Sequence, residues 1–446
     1  MSKIPTYKTI FRLAIPAIFG GIVEPILSLT DIAVVGNIPS NNPNLTITSL
    51  AAVGLAGSLI SALLWIFAQV KSAISALVSK AVGANNLNSV ATLIPQMILF
   101  NLGLGFLAFL LTYFSSSWIF TSLLSASNAV AEQAVAYYDI RAFGFPITLI
   151  TFSLFGVFRG LQNTYWAMII SIVGGCLNIL LDFILVLGLG DFCEPMGIEG
   201  AAIASLIAQI VMFLLAIFFL LRSKVKLLFS NRINQQFKVM MHMAVHLMVR
   251  TITLNIALVL THKFANKYGE IEAATHTVLL NIWLFSAFFL DGFATAANAL
   301  SGKYLGQQNP TALKETLKKN MFLAFLVALL LIVIFLLFHV EIIGVLAEDS
   351  RVTHLYKDVL FLFILCLPLN ALAFTLDGVF KGLGEAKFLR NLLVISTLFG
   401  FLPVLFIADY FSVGLQVIWL ALIVWIFLRG LIPLIYFKTY LKRKFD

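Results

Sequence analysis

The chain has 446 residues, of which 61% are hydrophobic and only 11% are charged, with a mean hydropathy of +1.01 and a formal net charge of +9. Soluble domains carry about 25% charged residues, so this composition excludes a soluble globular protein. Uncharged runs such as 201–221, 321–338 and 359–376 recur along the chain, each close to the roughly 20 residues that cross a bilayer. We therefore expect an all-α polytopic membrane protein.

Twelve membrane spans are predicted in chain order. The first begins after Lys3, Lys8 and Arg12, but Glu24 interrupts its apolar run and no small-residue cleavage site follows, which predicts an uncleaved helix and not a signal peptide. The predicted spans cover residues 10–36, 50–79, 90–114, 131–157, 166–190, 198–221, 241–265, 273–302, 320–340, 356–380, 388–409 and 412–437.

The connections between these spans differ strongly in positive charge. The two termini and every second connection together carry 21 Lys or Arg residues, whereas the other connections carry four, namely Lys263, Lys267, Arg351 and Lys357. By the positive-inside rule this asymmetry predicts that both termini are cytoplasmic. The net charge of +9 then needs no nucleic-acid partner, because basic residues at this face set topology and meet anionic lipid headgroups.

Two sequence repeats indicate a duplicated chain. Residues 75–86 resemble 298–309 at an offset of 223, and residues 146–163 share eight of eighteen identities with 368–385 at an offset of 222. The repeated basic residues fall on the same side of the membrane in both halves, so the halves are parallel and related by a pseudo-twofold axis along the membrane normal. We predict an N-lobe (1–221), a basic cytoplasmic linker (222–240) and a C-lobe (241–446).

Acidic residues inside the N-terminal spans are the strongest candidates for function, because each costs on the order of 2.5–3.5 kcal/mol at mid-bilayer. Glu24 and Asp31 are two helical turns apart on one face, and Asn178 shares a face with Asp182. Two carboxyls that approach closely do not both ionise readily, so this patch is suited to bind a proton or a desolvated monovalent cation. A structural hydrogen-bond network is the alternative, and Glu24 is equally suited to serve as a substrate counter-charge.

The C-terminal half has its own polar positions. Asp291 lies seven residues before Asn298, and Asn370 lies seven residues before Asp377. Arg250 in the seventh span needs a partner if it is buried, and Asp377 or Asp291 is the candidate. These residues are predicted to line a substrate cleft or to gate it, with a lock between helices as the structural alternative for Arg250.

Other residues have weaker signals. Pro25 removes a backbone hydrogen bond in the first span and predicts a kink or hinge. His242 and His246 share a helix face, but no third ligand is evident, so no metal site is predicted. The cysteines lack a CxxC spacing and predict neither a disulfide framework nor a metal site: Cys176, Cys193 and Cys366.

Motifs for energy coupling and catalysis are absent from the sequence. There is no phosphate-binding GxxxxGK[ST], no GxSxG, no HExxH and no TVGYG filter. We therefore predict no enzyme activity, no catalytic residues and no cofactor, and we expect energy to come from an ion gradient.

The motifs in their order resemble the multidrug and toxic compound extrusion (MATE) family. The segments are PILSLTDIAVVGNI (25–38), LAAVGLAG (50–57), FGVFRGLQNT (155–164) and NILLDFILVLGLG (178–190). FFLDGFATAANALSGKYLGQ (288–307) and FTLDGVFKGLGEAK (374–387), with Arg250, are similar to its DNA-damage-inducible protein F subfamily. The resemblance covers essentially the whole chain.

This resemblance implies a multidrug antiporter that exports amphipathic, mostly cationic compounds in exchange for protons or sodium ions. The family's cation site would fall on Asp31, Asn178 and Asp182, with Ser205 in place of a common Thr, whereas Glu24 replaces an uncharged polar residue. The implied protein is a monomer in the cytoplasmic (inner) membrane that contacts lipids. The alternatives are a lipid or polysaccharide flippase of the same superfamily, which would need an extended basic cleft, and an ion channel or receptor.

Overall fold

The computed structural model describes residues 4–38, 43–190, 194–223, 225–230, 232–346, 350–411 and 414–445, so Cys193 lies outside the described residues. Across these ranges the secondary structure is helical, with no strand. The helices of the N-terminal half are α1 (Tyr7–Gly36), α2 (Pro43–Phe67), α3 (Gln69–Gly83), α4 (Asn88–Ala91), α5 (Leu93–Tyr113), α6 (Ser116–Trp118), α7 (Asn128–Ala142), α8 (Gly144–Gly160), α9 (Thr164–Leu187) and α10 (Gly197–Leu221). Those of the C-terminal half are α11 (Gln235–Tyr268), α12 (Glu270–Gly306), α13 (Pro310–Leu346), α14 (Ser350–Gly382), α15 (Ala386–Ser396), α16 (Leu402–Tyr410) and α17 (Gln416–Phe445).

These helices form the twelve predicted spans. Within the described residues eleven helices are long and apolar enough to cross a membrane, and α7 with α8 makes a twelfth span that bends by 48°. Helices α2 and α3 join into one span over Thr46–Gly83, and α15 and α16 are joined by a π-helical turn at Thr397–Phe401. The chain is therefore an all-α, multi-pass membrane protein.

Most helices extend beyond the apolar segments that predicted them. Helix α11 begins at Gln235 although its apolar run begins at 241, because the Asn234 side chain accepts a hydrogen bond from the backbone N–H of Gln236 and caps the polar first turn. Helix α13 likewise begins at Pro310, where Asn309 accepts from the backbone N–H of Ala312. Hydropathy predicts the part of a helix inside the bilayer, whereas caps set where the helix ends.

The duplicated halves meet at equivalent residues, which confirms the internal repeat. A Cβ atom added to Gly83 would collide with the carbonyl oxygen of Lys303, and one added to Gly306 would collide with that of Lys80. Lys80 and Lys303 are repeat equivalents, as are Gly83 and Gly306. A residue of one half contacts a residue of the other, and the equivalents of the two residues make the same contact. Such a reciprocal contact indicates a twofold relationship. The two six-helix lobes are thus parallel and related by a pseudo-twofold axis along the membrane normal.

The same duplication appears within each lobe. In the N-lobe, a Cβ at Gly156 on α8 would meet the carbonyl oxygen of Lys71 on α3. In the C-lobe, a Cβ at the equivalent Gly378 on α14 would meet the carbonyl oxygen of Ala294 on α12. Glycine lets the two helix backbones of each pair approach closely, as is common in membrane bundles. The lobe boundaries at 221 and 241 stay a prediction.

The two lobes are joined most tightly at the end of the bundle where the chain begins. There the side-chain amide of Gln162 donates to the carbonyl of Ala299 at 2.9 Å, and that of Asn298 donates to the carbonyl of Ser72 at 3.3 Å. Helix α1 also crosses between the lobes, because a Cβ at Gly292 on α12 would collide with Ile18. These contacts close one end of the bundle and leave a cavity further along.

Candidate functional site

A cavity of about 710 Å³ lies between the lobes and is lined mainly by α1, α2, α8, α9 and α10, with α11 and α12 on the other side. This volume is typical of a small-molecule site. Its walls are largely apolar and aromatic, including Trp65, Phe152 and Phe155. The predicted N-lobe residues Glu24, Asp31, Asn178 and Ser205 all line it.

The carboxyls of Asp31 on α1 and Asp182 on α9 lie together beside this cavity. They are within hydrogen-bonding reach of each other, and both are buried. Oδ1 of each carboxyl has no hydrogen-bond partner among the described residues. Burial of two acids in contact is costly unless a proton or a cation lies between them. The pair therefore has the chemistry of a proton or monovalent-cation site.

Asn178 and Ser205 organise this carboxyl pair. The side-chain amide of Asn178 donates a hydrogen bond of 2.9 Å to Oδ2 of Asp182, one helical turn further along α9. Ser205 Oγ on α10 lies 3.5 Å from Oδ1 of Asn178, which is long for a hydrogen bond. The amide thus holds Asp182 firmly, whereas the hydroxyl assists only weakly.

Two further residues of this site lie on α7. The Tyr137 hydroxyl is within hydrogen-bonding reach of Asp31, and the Arg141 guanidinium is close enough to attract both carboxyls. Arg141 also lies over the Tyr137 ring, 5.9 Å from its centroid. Sequence reasoning missed both residues. An arginine inside the fourth span, one turn from a tyrosine, was the signal that would have found them.

Glu24 and Asp31 both line the cavity but have different surroundings. Glu24 is exposed and lines the cavity, where it attracts Lys71 electrostatically. Arg159 and Asp291 also lie close to Lys71. The Lys71 ammonium lies 5.1 Å from the centroid of Phe152. Glu24 therefore belongs to a charged group in the open cavity and not to the buried carboxyl pair.

Three basic side chains lie around the cavity. Lys71, Arg141 and Arg159 all line it. The flippase alternative needs a basic cleft, and these three side chains bring basic groups to the cavity. Lys71 and Arg141 fall inside the predicted spans 50–79 and 131–157, and neither is among the residues predicted to form the site.

Arg250 pairs with Asp377, which resolves the choice between the two candidate aspartates. Arg250 Nη2 lies 2.7 Å from Asp377 Oδ1, and Lys381 Nζ lies 2.7 Å from Asp377 Oδ2. Arg250 on α11 and Asp377 on α14 are both largely buried. Arg429 on α17 also lies within electrostatic reach of this pair. The geometry thus fits the structural alternative for Arg250, a lock between helices, and includes a second arginine that sequence reasoning missed.

The C-lobe candidates were predicted to line or gate a substrate cleft, but none of them is among the described residues that line the cavity. Asn298 joins the lobes through its bond to Ser72, and Asp291 lies near Lys71 and Arg159. Asn370 is buried, and neither polar atom of its side chain has a hydrogen-bond partner among the described residues. The seven-residue spacing predicts which residues share one face of a helix. It does not predict whether the faces of two helices meet. Helix α1 runs through Pro25 without ending there.

The two histidines of α11 form a hydrogen-bonded pair. His242 and His246 lie 3.0 Å apart between their Nε2 atoms, and Arg390 lies 3.1 Å from His246 Nδ1. Because the guanidinium can only donate, His246 Nδ1 accepts, and a neutral His246 donates from Nε2 to His242. No group of three or more metal-ligating side chains occurs in the part of the chain that the structure describes.

A family model described as MatE matches residues 16–184 and 247–406, one stretch in each lobe and most of the chain in total. The chain belongs to the MatE family. Its resemblance to these transporters is thereby confirmed, and the chain is a transporter and not an enzyme. Because the family's multidrug extrusion proteins match along nearly the full chain, multidrug efflux is the function that the comparisons support.

Individual relatives agree with this assignment. DNA damage-inducible protein F of Escherichia coli (strain K12) is 29% identical over 430 residues, which cover 95% of this chain and 90% of that protein. The probable multidrug resistance protein NorM of Thermotoga maritima is 22% identical over 97% of this chain and 92% of that protein. A solved structure of a multidrug resistance MATE family transporter in an outward-facing conformation has a TM-score of 0.88 at 21% identity, covering 98% of this chain and 96% of that one.

Proposed function

We propose that this MatE protein exports amphipathic compounds, organic cations among them, in exchange for protons. The observation that carries the proposal is the buried pair of Asp31 and Asp182 beside the cavity. A proton between two buried carboxyls removes the repulsion that two charges would have, so occupancy follows the proton gradient. The Asn178 amide keeps one carboxyl oriented while this happens.

Exchange requires that proton and substrate favour different states of the transporter. A ligand shifts a conformational equilibrium only through its differential affinity for the two states. In our proposal, protonation of Asp31 and Asp182 lets α1 bend at Pro25, which narrows the cavity and displaces the substrate. Solved MATE structures described in a bent and in a straight conformation support such a movement.

We place both termini in the cytoplasm on the distribution of Lys and Arg. The lobes are joined at the end where the chain begins, so the joined end is then the cytoplasmic one. The protein acts as a monomer in the cytoplasmic membrane, with its many exposed apolar side chains in contact with lipid.

Sodium is the alternative coupling ion, because the carboxylate, amide and hydroxyl oxygens of this site are ligands that hard cations prefer. The test uses proteoliposomes loaded with a fluorescent organic cation and exposed first to a pH gradient and then to a sodium gradient. Transport driven by the pH gradient alone supports proton coupling. Transport driven by the sodium gradient alone would show that the coupling ion is sodium and not the proton. Transport with neither gradient would refute antiport.

A lipid or polysaccharide flippase remains a second candidate function. The basic side chains of Lys71, Arg141 and Arg159 in the cavity favour it, because a lipid-linked phosphate needs cationic partners. Translocation of a fluorescent lipid-linked sugar in the same vesicles, without efflux of the organic cation, would establish the flippase instead.

A further inference from the structure

Helix α17 contains a buried arginine that the proposed antiport does not use. Arg429 is 6% exposed, and its guanidinium stacks on Trp425 with its Cζ atom 4.7 Å from the ring centroid. Within the described part of the chain it makes no ion pair and no hydrogen bond. A guanidinium keeps its charge in proteins, so this buried charge needs a counter-ion.

The neighbouring acid does not supply that counter-ion. Both oxygens of Asp377 are already paired, Oδ1 with Arg250 and Oδ2 with Lys381, each at 2.7 Å. The charged groups that act on Arg429 are Arg250, which repels it, and Asp377, which attracts it. Three cations therefore share one carboxylate, which leaves two positive charges without a negative partner.

These charges face a small space between α11, α14, α15 and α17. The space has a volume of about 10 Å³, which is the size that holds one water-sized particle. Its walls are formed by three charged side chains and by leucines that offer no polar atom: Arg250, Asp377, Arg429, Leu389, Leu392 and Leu393. Apart from the three charged side chains, the described residues that line this space are therefore apolar.

We propose that this pocket binds one monatomic anion, chloride under ordinary salt conditions, between the guanidinium groups of Arg250 and Arg429. A guanidinium offers several N–H donors and no acceptor, so an anion satisfies it where apolar side chains do not. The space is too small for a phosphate, a sulfate or a carboxylate-bearing substrate. Hydroxyl or amide ligands for a cation are absent from the residues that line it.

The bound anion joins three helices of the C-lobe. Arg250 lies on α11, Asp377 on α14 and Arg429 on α17. The bound anion reduces the repulsion between Arg250 and Arg429. Asp377 keeps its ion pairs with Arg250 and Lys381. Because a ligand that binds only the folded protein stabilises it by mass action, the C-lobe becomes more stable as chloride rises.

The first test measures thermal unfolding of the purified full-length protein in detergent, in chloride, bromide or gluconate at equal ionic strength. We expect the Tm to rise saturably with chloride or bromide relative to gluconate. Arg429→Gln should lose this rise. Arg222→Gln, which neutralises an exposed arginine at the end of α10, should keep it and serves as the matched control.

Equal Tm values in chloride and gluconate for the wild-type protein would overturn the proposal. So would an undiminished halide effect in Arg429→Gln, because the effect would then come from the general action of salts on the protein. A crystal grown in bromide gives a second measurement that does not depend on the variant's folding. An anomalous peak between Arg250 and Arg429 supports the site, and its absence at saturating bromide overturns it.

Discussion

The side-chain amide of Asn178 donates a 2.9 Å hydrogen bond to Oδ2 of Asp182, and both side chains are buried on the same face of α9. This bond fixes the direction of the amide, so its oxygen faces Ser205 on α10. Asp31 on α1 completes the group from the other side. One local helical contact therefore aligns a site that is built from three helices.

Removing the amide should damage transport much more than removing the hydroxyl. A hydrogen bond to a charged group contributes about 1.5–3 kcal/mol, so we expect Asn178→Ala to lower gradient-driven efflux roughly tenfold or more. Ser205→Ala should lower it by less than about threefold, because the Ser205–Asn178 distance of 3.5 Å is at the limit for such a bond. Initial efflux rates in proteoliposomes measure both. A larger effect for Ser205→Ala would contradict this geometry.

Pro25 should matter for movement and little for folding. Proline lacks the N–H that would bond to the carbonyl of residue 21, so Pro25→Ala restores a helical hydrogen bond in α1. We expect the variant to keep or raise its Tm while its efflux rate falls several-fold. Pro16→Ala, in the same helix, is the control and should retain transport. Wild-type efflux by Pro25→Ala would remove the hinge from the mechanism.

Asp377 should be the most important member of the C-lobe cluster for stability. Asp377→Asn removes the carboxylate that pairs with Arg250 and Lys381, and breaking a buried pair in this way costs about 3–5 kcal/mol. A marked fall in Tm is therefore expected, larger than that of Arg250→Met. A smaller fall for Asp377→Asn than for Arg250→Met would show that the cluster does not need its acid.

An exposed ion pair provides the control for that measurement. Lys267 Nζ lies 2.7 Å from Asp409 Oδ2, and the Lys267 side chain is 61% exposed. The hydrogen bonds from Lys267 hold the pKa of Asp409 below its usual range, so the pair persists at neutral pH and is lost only as pH falls through that lowered pKa. Exposed pairs contribute little to stability, so Lys267→Met should barely change the Tm at neutral pH.

Closure of the lobes should depend on glycines in the repeated segment. A Cβ at Gly306 would collide with the carbonyl oxygen of Lys80, which is backbone and cannot turn aside. We expect Gly306→Ala to separate the lobes at the end where the chain begins, seen as a longer spin-label distance between α3 and α12. Gly103→Ala, whose Cβ would meet no atom within 4 Å, should leave the distance unchanged. An unchanged distance in Gly306→Ala would contradict the twofold contact.

Much of the fold was predictable because hydropathy and duplication are local signals. The apolar runs predicted twelve spans, and the repeat of 75–86 in 298–309 predicted two parallel halves. The repeat did not predict that its two copies pack against each other at Gly83 and Gly306. That contact depends on how closely two helices can approach, which becomes visible only when both are in place.

The site was predictable where one helix or a family motif carried it. The Asn178–Asp182 contact follows from a spacing of four, Asp31 follows from the cost of an acid inside a span, and the resemblance supplied Ser205. Arg429, Arg141 and Lys71 were overlooked although each lies inside a predicted span. Placing a basic residue in the membrane is costly, as it is for an acid. The reasoning that selected the acids therefore also selects these three basic positions. Their partners, however, lie on other helices and follow from packing alone.

The central claim is that Asp31 couples the proton gradient to export. The most direct measurement is efflux of an organic cation from proteoliposomes under an imposed pH gradient, for wild type, Asp31→Asn and the exposed control Glu132→Gln at matched protein levels. We predict that Asp31→Asn abolishes gradient-driven efflux while the control and the wild type transport equally. Full efflux by folded Asp31→Asn, with its dependence on the pH gradient unchanged, would contradict the account.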